Sequence, residues 1–183
     1  MKHSNQNSVN AGSMADIAFL LLIFFLVSTT IQSDEGINQK LPPKCIGKNC
    51  EAKTKEHNII NISINKDNDL MVKNKVTSAK ELKTIVKQFI DNNGDNSCEY
   101  CNGNKTSDAS DNPQKAVISL RTDREASNKT FVTIQNVLME SYNELRNDYA
   151  LKKYNKILSD LTKNELIIIK KAYPQIISEA EVN

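Results

Sequence analysis

The sequence is poor in the residues and motifs from which enzyme active sites are built. It has two histidines and five glycines in 183 residues. His3 and His57 lie on opposite sides of the long apolar segment. The hydrolase motif G-x-S-x-G, a glycine-rich phosphate loop and the zinc-protease motif H-E-x-x-H are all absent. We therefore expect neither an enzyme nor a cofactor-binding protein.

The sequence also lacks an excess of charge of one sign. It has 24 basic and 22 acidic side chains, which gives a net charge of +2, and the two kinds are interspersed. A nucleic-acid-binding surface needs a basic patch or stripe, so we expect no nucleic acid partner. Overall composition is that of an ordinary soluble protein, but Ile17 to Val27 is an unbroken apolar block. The pattern predicts a soluble domain that follows one apolar segment.

Between residues 14 and 31 the only charged side chain is that of Asp16. Eighteen helical residues span about 27 Å, which is close to the thickness of the hydrocarbon core of a bilayer. The segment could be an uncleaved transmembrane helix, a signal peptide cleaved near Ser28 and Thr30, or a buried helix. We favour the uncleaved helix, because the polar leader (residues 1–13) has only Lys2 as a fixed positive side chain and signal peptides rarely carry such an acid.

The cysteines suit an exported domain, whereas the lysines around the apolar segment do not. Lys40, Lys44 and Lys48 follow the segment closely, which by charge count favours the opposite orientation, but long domains can cross the membrane despite such charges. The four cysteines form a C-x4-C pair, Cys45 and Cys50, and a C-x2-C pair, Cys98 and Cys101. They suit disulfides in an oxidising compartment, with a thiolate zinc site or free thiols as alternatives.

The rest of the chain predicts a small α+β domain with helices packed on one face of a β-sheet. We expect an extended linker at 32–57, a domain at 58–154 with a cysteine-containing inserted loop at 95–114, and a helical C-terminal extension at 155–183. The predicted strands are residues 60–64, 70–76 and 116–120. Helices are expected after the capping box Ser78 to Glu81, along the face from Phe131 to Tyr142, and after the capping box Thr162 to Glu165. We expect turn or solvent-exposed positions, and no catalytic acid pair, for Asp67, Asp69, Asp123 and Glu125.

Asp16 has two interpretations. An acid at mid-bilayer costs about 2.5 to 3.5 kcal/mol. If the helix begins at Ser13, Asp16 lies in its first turn and is stabilised there by the helix dipole. If the helix begins near Val9 or Asn10, Asp16 lies below the headgroups and faces protein or water, where it could bind and release protons. Physical arguments alone leave both open.

The stretch from Asn10 to Pro43, NAGSMADIAFLLLIFFLVSTTIQSDEGINQKLPP, resembles the anchor of the ExbD/TolR family. These proteins are single-span subunits of proton-driven motors of the bacterial inner membrane. The likeness consists of a short leader, an Asp at the start of the only span, an apolar run and an extended Leu-Pro segment. The order of strands and helices as far as Tyr154 is also similar to the family's periplasmic domain.

The resemblance implies a role for several residues. Asp16 corresponds to the family's proton-binding carboxylate, and Ser28, Thr29 and Thr30 could solvate the proton path. The segment Leu41-Pro42-Pro43 matches a stretch that pairs with a neighbouring sheet in dimers. The implied partners are a polytopic ExbB- or TolQ-like subunit and a TonB- or TolA-like energy transducer, with the N-terminus in the cytoplasm and the C-terminal domain in the periplasm.

An ExbD-like role in TonB-dependent transport is the favoured function. The alternatives are a TolR-like subunit whose periplasmic domain binds peptidoglycan or a partner, and a secreted disulfide-stabilised binding domain. The sequence departs from the family pattern in its Cys98 and Cys101 loop and in the region from Leu158 to Asn183. We also expect a longer helix in place of the short strand that closes the family's domain.

Overall fold

The structure, a computed structural model, describes residues 11–28 and 54–182. The chain divides into two compact units, residues 1–38 and residues 39–183. In the first unit, helix α1 runs from Ala11 to Ser28 and none of its side chains is buried. Its length and composition are sufficient to cross a membrane. It begins before the span predicted at 14–31, and residues 29–31 of that span lie outside the described residues.

The second unit is an α+β domain built on a five-stranded sheet of order β3-β2-β1-β4-β5. Its regular elements in chain order are β1 (Ile59–Ile64), β2 (Leu70–Val72), β3 (Lys75–Val76), α2 (Ala79–Ile90), β4 (Val117–Asp123), α3 (Asn128–Tyr154), α4 (Lys163–Ala172) and β5 (Ile177–Val182). β1 and β4 are parallel, as are β4 and β5, whereas β1, β2 and β3 pair antiparallel. The expected α+β class is confirmed.

Alternation along β1 fixes which face of the sheet is buried. Ile60, Ile62 and Ile64 are each at most 1% exposed, whereas Asn61 between them is exposed. The period of two therefore places the isoleucines on the helix side and the polar residues on the other side. The core also contains Leu82, Val86, Phe89 and Ile90 of α2, Ile118 and Leu120 of β4, and Ile134, Leu138 and Tyr142 of α3.

Helices α2 and α4 begin at the residues that the sequence predicts. The Oγ of Ser78 accepts a hydrogen bond from the backbone N–H of Glu81 at 3.3 Å, and a carboxylate oxygen of Glu81 accepts from the N–H of Ser78 at 3.0 Å. Thr162 and Glu165 form the same reciprocal pair at the start of α4. Both capping boxes are confirmed, and each satisfies two backbone donors that a helix start would leave free.

The strand predicted at residues 70–76 is interrupted. β2 ends at Val72 and β3 begins at Lys75, and the two residues between them, Lys73 and Asn74, have φ angles of 49° and 64°. Two successive residues in the left-handed region form the tight turn that joins short antiparallel strands. A hairpin therefore replaces the single returning strand.

The expectation that a helix replaces the closing strand is wrong, because β5 follows α4 and pairs in parallel with β4. Ile177 opposite Ile118 is only 2% exposed. Ala172, Tyr173 and Ile177 belong to the same core as β1 and α2. Side chains on both sides of the boundary predicted at residue 155 thus share one hydrophobic core.

Candidate functional site

Asp16 lies inside helix α1 and not in its first turn. The described helix begins at Ala11, five residues earlier, and its first turn contains no acidic side chain. Ser13 also lies within the helix. A residue that caps a helix stands at its start, outside the regular turns, so of the two interpretations the one in which the helix starts at Ser13 is wrong. Stabilisation by the helix dipole, which falls off within the first turn, does not explain the position of this acid.

The residues around Asp16 differ in size along the helix. Gly12 and Ser13 precede it by four and three residues, and Phe19 and Leu20 follow it by three and four, so all four share its face. Leu20 is 59% exposed and Ile23 is 44% exposed. A helix that is apolar on all sides needs lipid or protein around it. The small residues allow a neighbouring helix to approach closely next to the carboxylate.

Of the other residues predicted along the proton path, only Ser28 is among the described residues. The Ser28 hydroxyl donates to the carbonyl oxygen of Phe25 at 3.3 Å, which is a hydrogen bond within the helix. Thr29, Thr30, the pairing segment Leu41-Pro42-Pro43, and Cys45 with Cys50 lie outside the described residues. Their roles stay predictions.

In the domain, Cys98 and Cys101 are joined by a disulfide with Cα atoms 5.5 Å apart. Sulfurs joined in this way are not thiolate ligands, and among residues 11–28 and 54–182 no group of three metal-binding side chains is found. Tyr100 lies between the two cysteines, and its ring is 4.6 Å from that of Tyr149. Its hydroxyl donates to the carbonyl oxygen of Ala172 at 2.8 Å.

The loop between α2 and β4, which we call the polar loop (residues 91–116), is more buried than its composition predicts. Asn92 is 1% exposed and Asn93 is 4% exposed. The Asn93 amide donates to the carbonyl oxygen of Cys98 and accepts from its N–H, at 2.9 and 3.0 Å. The polar loop packs tightly, because a Cβ atom on Gly103 would lie 2.2 Å from the carbonyl oxygen of Asp91. Asparagine side chains thus supply the backbone hydrogen bonds that a strand would otherwise provide.

A buried carboxylate connects the polar loop to the start of the domain. Asp111, 7% exposed in its side chain, accepts from His57 Nε2 at 2.9 Å and from Asn58 Nδ2 at 3.1 Å. Asn58 Oδ1 accepts from the N–H of Asp111 at 2.7 Å. Lys55 and Lys115 lie 3.4 and 3.5 Å from the same carboxylate. We call these five residues the Asp111 cluster.

The other residues of the Asp111 cluster keep the Asp111 carboxylate ionised. Burial by itself would raise the pKa of Asp111, but the hydrogen bonds from Asn58 and His57 and the charge of Lys55 outweigh it and hold that pKa well below its ordinary value. The cluster attaches the residues through which the chain enters the domain to the polar loop. Sequence analysis missed it, because residues more than fifty positions apart form it.

A family model described as "ExbD: Biopolymer transport protein ExbD/TolR" matches residues 2–146. The match covers most of the chain and includes all of α1 with Asp16. The chain belongs to the ExbD/TolR family. Members of this family are non-enzymatic subunits of membrane motors, and the membership together with α1 indicates a single-pass membrane protein. No curated protein matches the chain closely.

The match ends inside α3, so α4 and β5 lie beyond it. The ExbD/TolR resemblance read from the anchor is confirmed. The C-terminal elements, which complete the sheet in this chain, are the part for which the family description gives no information.

Proposed function

We propose that this chain is an ExbD-like subunit of a proton-channel motor that couples the proton motive force to TonB-dependent transport across the outer membrane. The proposal rests on one observation. An acidic side chain lies inside an otherwise apolar helix of membrane-spanning length, in a chain that belongs to this family. A chain keeps such an acid in a membrane helix only at a cost, and intramembrane acids of this kind are commonly part of proton or ion pathways.

Asp16 would be the group that takes up and releases the proton. Desolvation favours the neutral form of a carboxylic acid, and contact with an aqueous path favours the ionised form. A proton arriving from the periplasmic side would neutralise the side chain, which could then face an apolar surface. Rotation of α1 relative to a surrounding polytopic subunit would bring the side chain to a cytoplasmic exit, where it would lose the proton. The hydroxyls of Ser28, Thr29 and Thr30 would help to solvate the proton path.

The proposed partners follow from this arrangement. An ExbB- or TolQ-like subunit would surround α1, because every side chain of the described helix is exposed. A TonB- or TolA-like transducer would receive the motion from the domain, which would lie in the periplasm and act as a dimer through the segment Leu41-Pro42-Pro43. The Asp111 cluster would hold the entry of the chain firmly, so that force on the linker reaches the sheet. The Cys98–Cys101 disulfide supports an oxidising compartment for the domain.

The substitution Asp16→Asn tests the proposal, since it keeps the size and polarity of the side chain and removes its ionisation. We expect energy-dependent uptake across the outer membrane to be lost, while the amount of protein in the membrane is unchanged. Ser13→Ala is the matched control on the same helix, and it should leave uptake intact. Normal uptake together with an intact outer membrane in the Asp16→Asn strain would reject the proton role.

Two further observations separate the alternatives. Amino-terminal sequencing of the mature protein should find the leader still attached, and a mature chain that begins near Ile31 would show a cleaved signal peptide. Loss of outer-membrane integrity without loss of TonB-dependent uptake in the Asp16→Asn strain would assign the chain to a TolR-like motor.

A further inference from the structure

The outward face of α4 combines an exposed isoleucine with three lysines. Ile167 is 63% exposed. Lys163 precedes it by four residues, and Lys170 and Lys171 follow it by three and four, so the three lysines surround it on the helix surface. Ile169, on the opposite side of the helix, is fully buried. We call the four residues Lys163, Ile167, Lys170 and Lys171 the α4 face.

The lysines of the α4 face differ from the others nearby. Residues 152–171 contain six lysines and two acids. Lys152 donates to Asn102, Lys153 donates to the hydroxyl of Tyr149, and Lys156 pairs with Glu165 at 3.1 Å. In the described part of the chain, no acidic side chain pairs with the three lysines of the α4 face.

The helix dipole accounts for only two of these three positions. Lys170 and Lys171 lie in the last turn of α4, where a positive charge is favourable. Lys163 is the first residue of the helix, where a positive charge is unfavourable. A ring of cations around an exposed apolar side chain is typical of segments that bind anionic bilayer surfaces, with the apolar group entering the headgroup region.

We propose that the α4 face docks on the anionic phospholipid surface of the membrane that holds α1. One large side chain among three lysines offers much less contact area than the roughly 800 Å² per partner of a stable protein interface. A weak attraction suffices at a membrane, because α1 attaches the domain to the same bilayer and keeps its effective concentration high. The proposal rests on the membrane insertion that the proposed function requires.

Hydrogen exchange of the full chain in lipid nanodiscs tests the docking. One set of nanodiscs contains phosphatidylcholine alone, and in the other part of it is replaced by phosphatidylglycerol. We expect the amides of α4 to exchange several-fold more slowly in the anionic nanodiscs. Each lysine contributes about fivefold to the docked state, so the triple variant Lys163→Gln, Lys170→Gln, Lys171→Gln should lose the protection. Ile167→Ser should reduce it.

The matched control is the triple variant Lys66→Gln, Lys80→Gln, Lys129→Gln, which changes net charge equally at exposed positions outside α4. We expect α4 of this control to stay protected from exchange. If the control also loses the protection, the effect depends only on net charge, and the proposal is overturned. Equal exchange of α4 in both lipids would also overturn it. If the protection depends on protein concentration and not on lipid charge, the α4 face binds a second copy of the chain and not the membrane. A chain that fails to remain with the nanodiscs would instead contradict the membrane anchor.

Discussion

Replacing Asp111 with alanine should destabilise the domain far more than its number of contacts suggests. The carboxylate is 7% exposed and is the acceptor for the buried Nδ2 of Asn58. In Asp111→Ala, the Nδ2 group of Asn58 stays buried without a hydrogen-bond acceptor, which costs about 1 to 3 kcal/mol. Loss of the bond from the half-buried His57 adds about 1 kcal/mol, whereas the exposed Lys55 and Lys115 add little. The free energy of unfolding should therefore fall by about 2 to 4 kcal/mol.

Urea unfolding of the full chain in nanodiscs measures this change. The chain has five tyrosines and no tryptophan. All five tyrosines lie beyond residue 99, so intrinsic tyrosine fluorescence reports the domain and not α1. The matched control is Asp95→Ala, because Asp95 also pairs with Lys115, at 2.7 Å, but has a more exposed side chain. It should cost less than about 1 kcal/mol. Equal costs for the two variants would refute the argument that burial of Asn58 sets the magnitude.

Three other outcomes are expected from the same domain. Ile177→Ala should lower the free energy of unfolding by about 2 to 5 kcal/mol, since the side chain is 2% exposed in β5; a cost below about 1 kcal/mol would show that β5 is not part of the core. Replacing Cys98 and Cys101 with serine should cost about 2 kcal/mol through the short loop that the disulfide closes, and an unchanged urea midpoint would contradict this. The pKa of Asp95 is lowered from 3.8 to about 2 by Lys115 and Ser97, and that of Asp111 is also lowered. The stability that both provide should be complete above about pH 4 and be lost as the pH falls towards 2; acid unfolding unaffected by Asp111→Asn would contradict it.

The elements with strong local signals could be predicted from the sequence. The alternation of Ile60, Ile62 and Ile64 is enough to place β1, because only a half-buried strand has a period of two. The capping boxes at Ser78 and Thr162 fix the starts of two helices through chemistry within four residues.

The missed elements depend on contacts made elsewhere in the fold. β5 has the sequence ISEAEV, whose charged residues do not suggest a strand, and its backbone is held by parallel pairing with β4. Asn92 and Asn93 looked like loop residues, yet they are buried because their amides satisfy backbone groups of the polar loop. The candidate site was partly predictable. Asp16 was identified from composition, but the earlier start of α1, which removes it from the first turn, required the structure.

Proton flux through the assembled membrane complex is the most direct measurement of the central claim. The chain and its polytopic partner would be reconstituted together in liposomes that contain a pH-sensitive dye, with a pH gradient imposed across the bilayer. We expect Asp16→Asn to reduce the flux to that of liposomes without the complex, and Ser13→Ala to leave it unchanged. Flux through the Asp16→Asn complex at the unmodified rate would show that protons cross without this carboxylate.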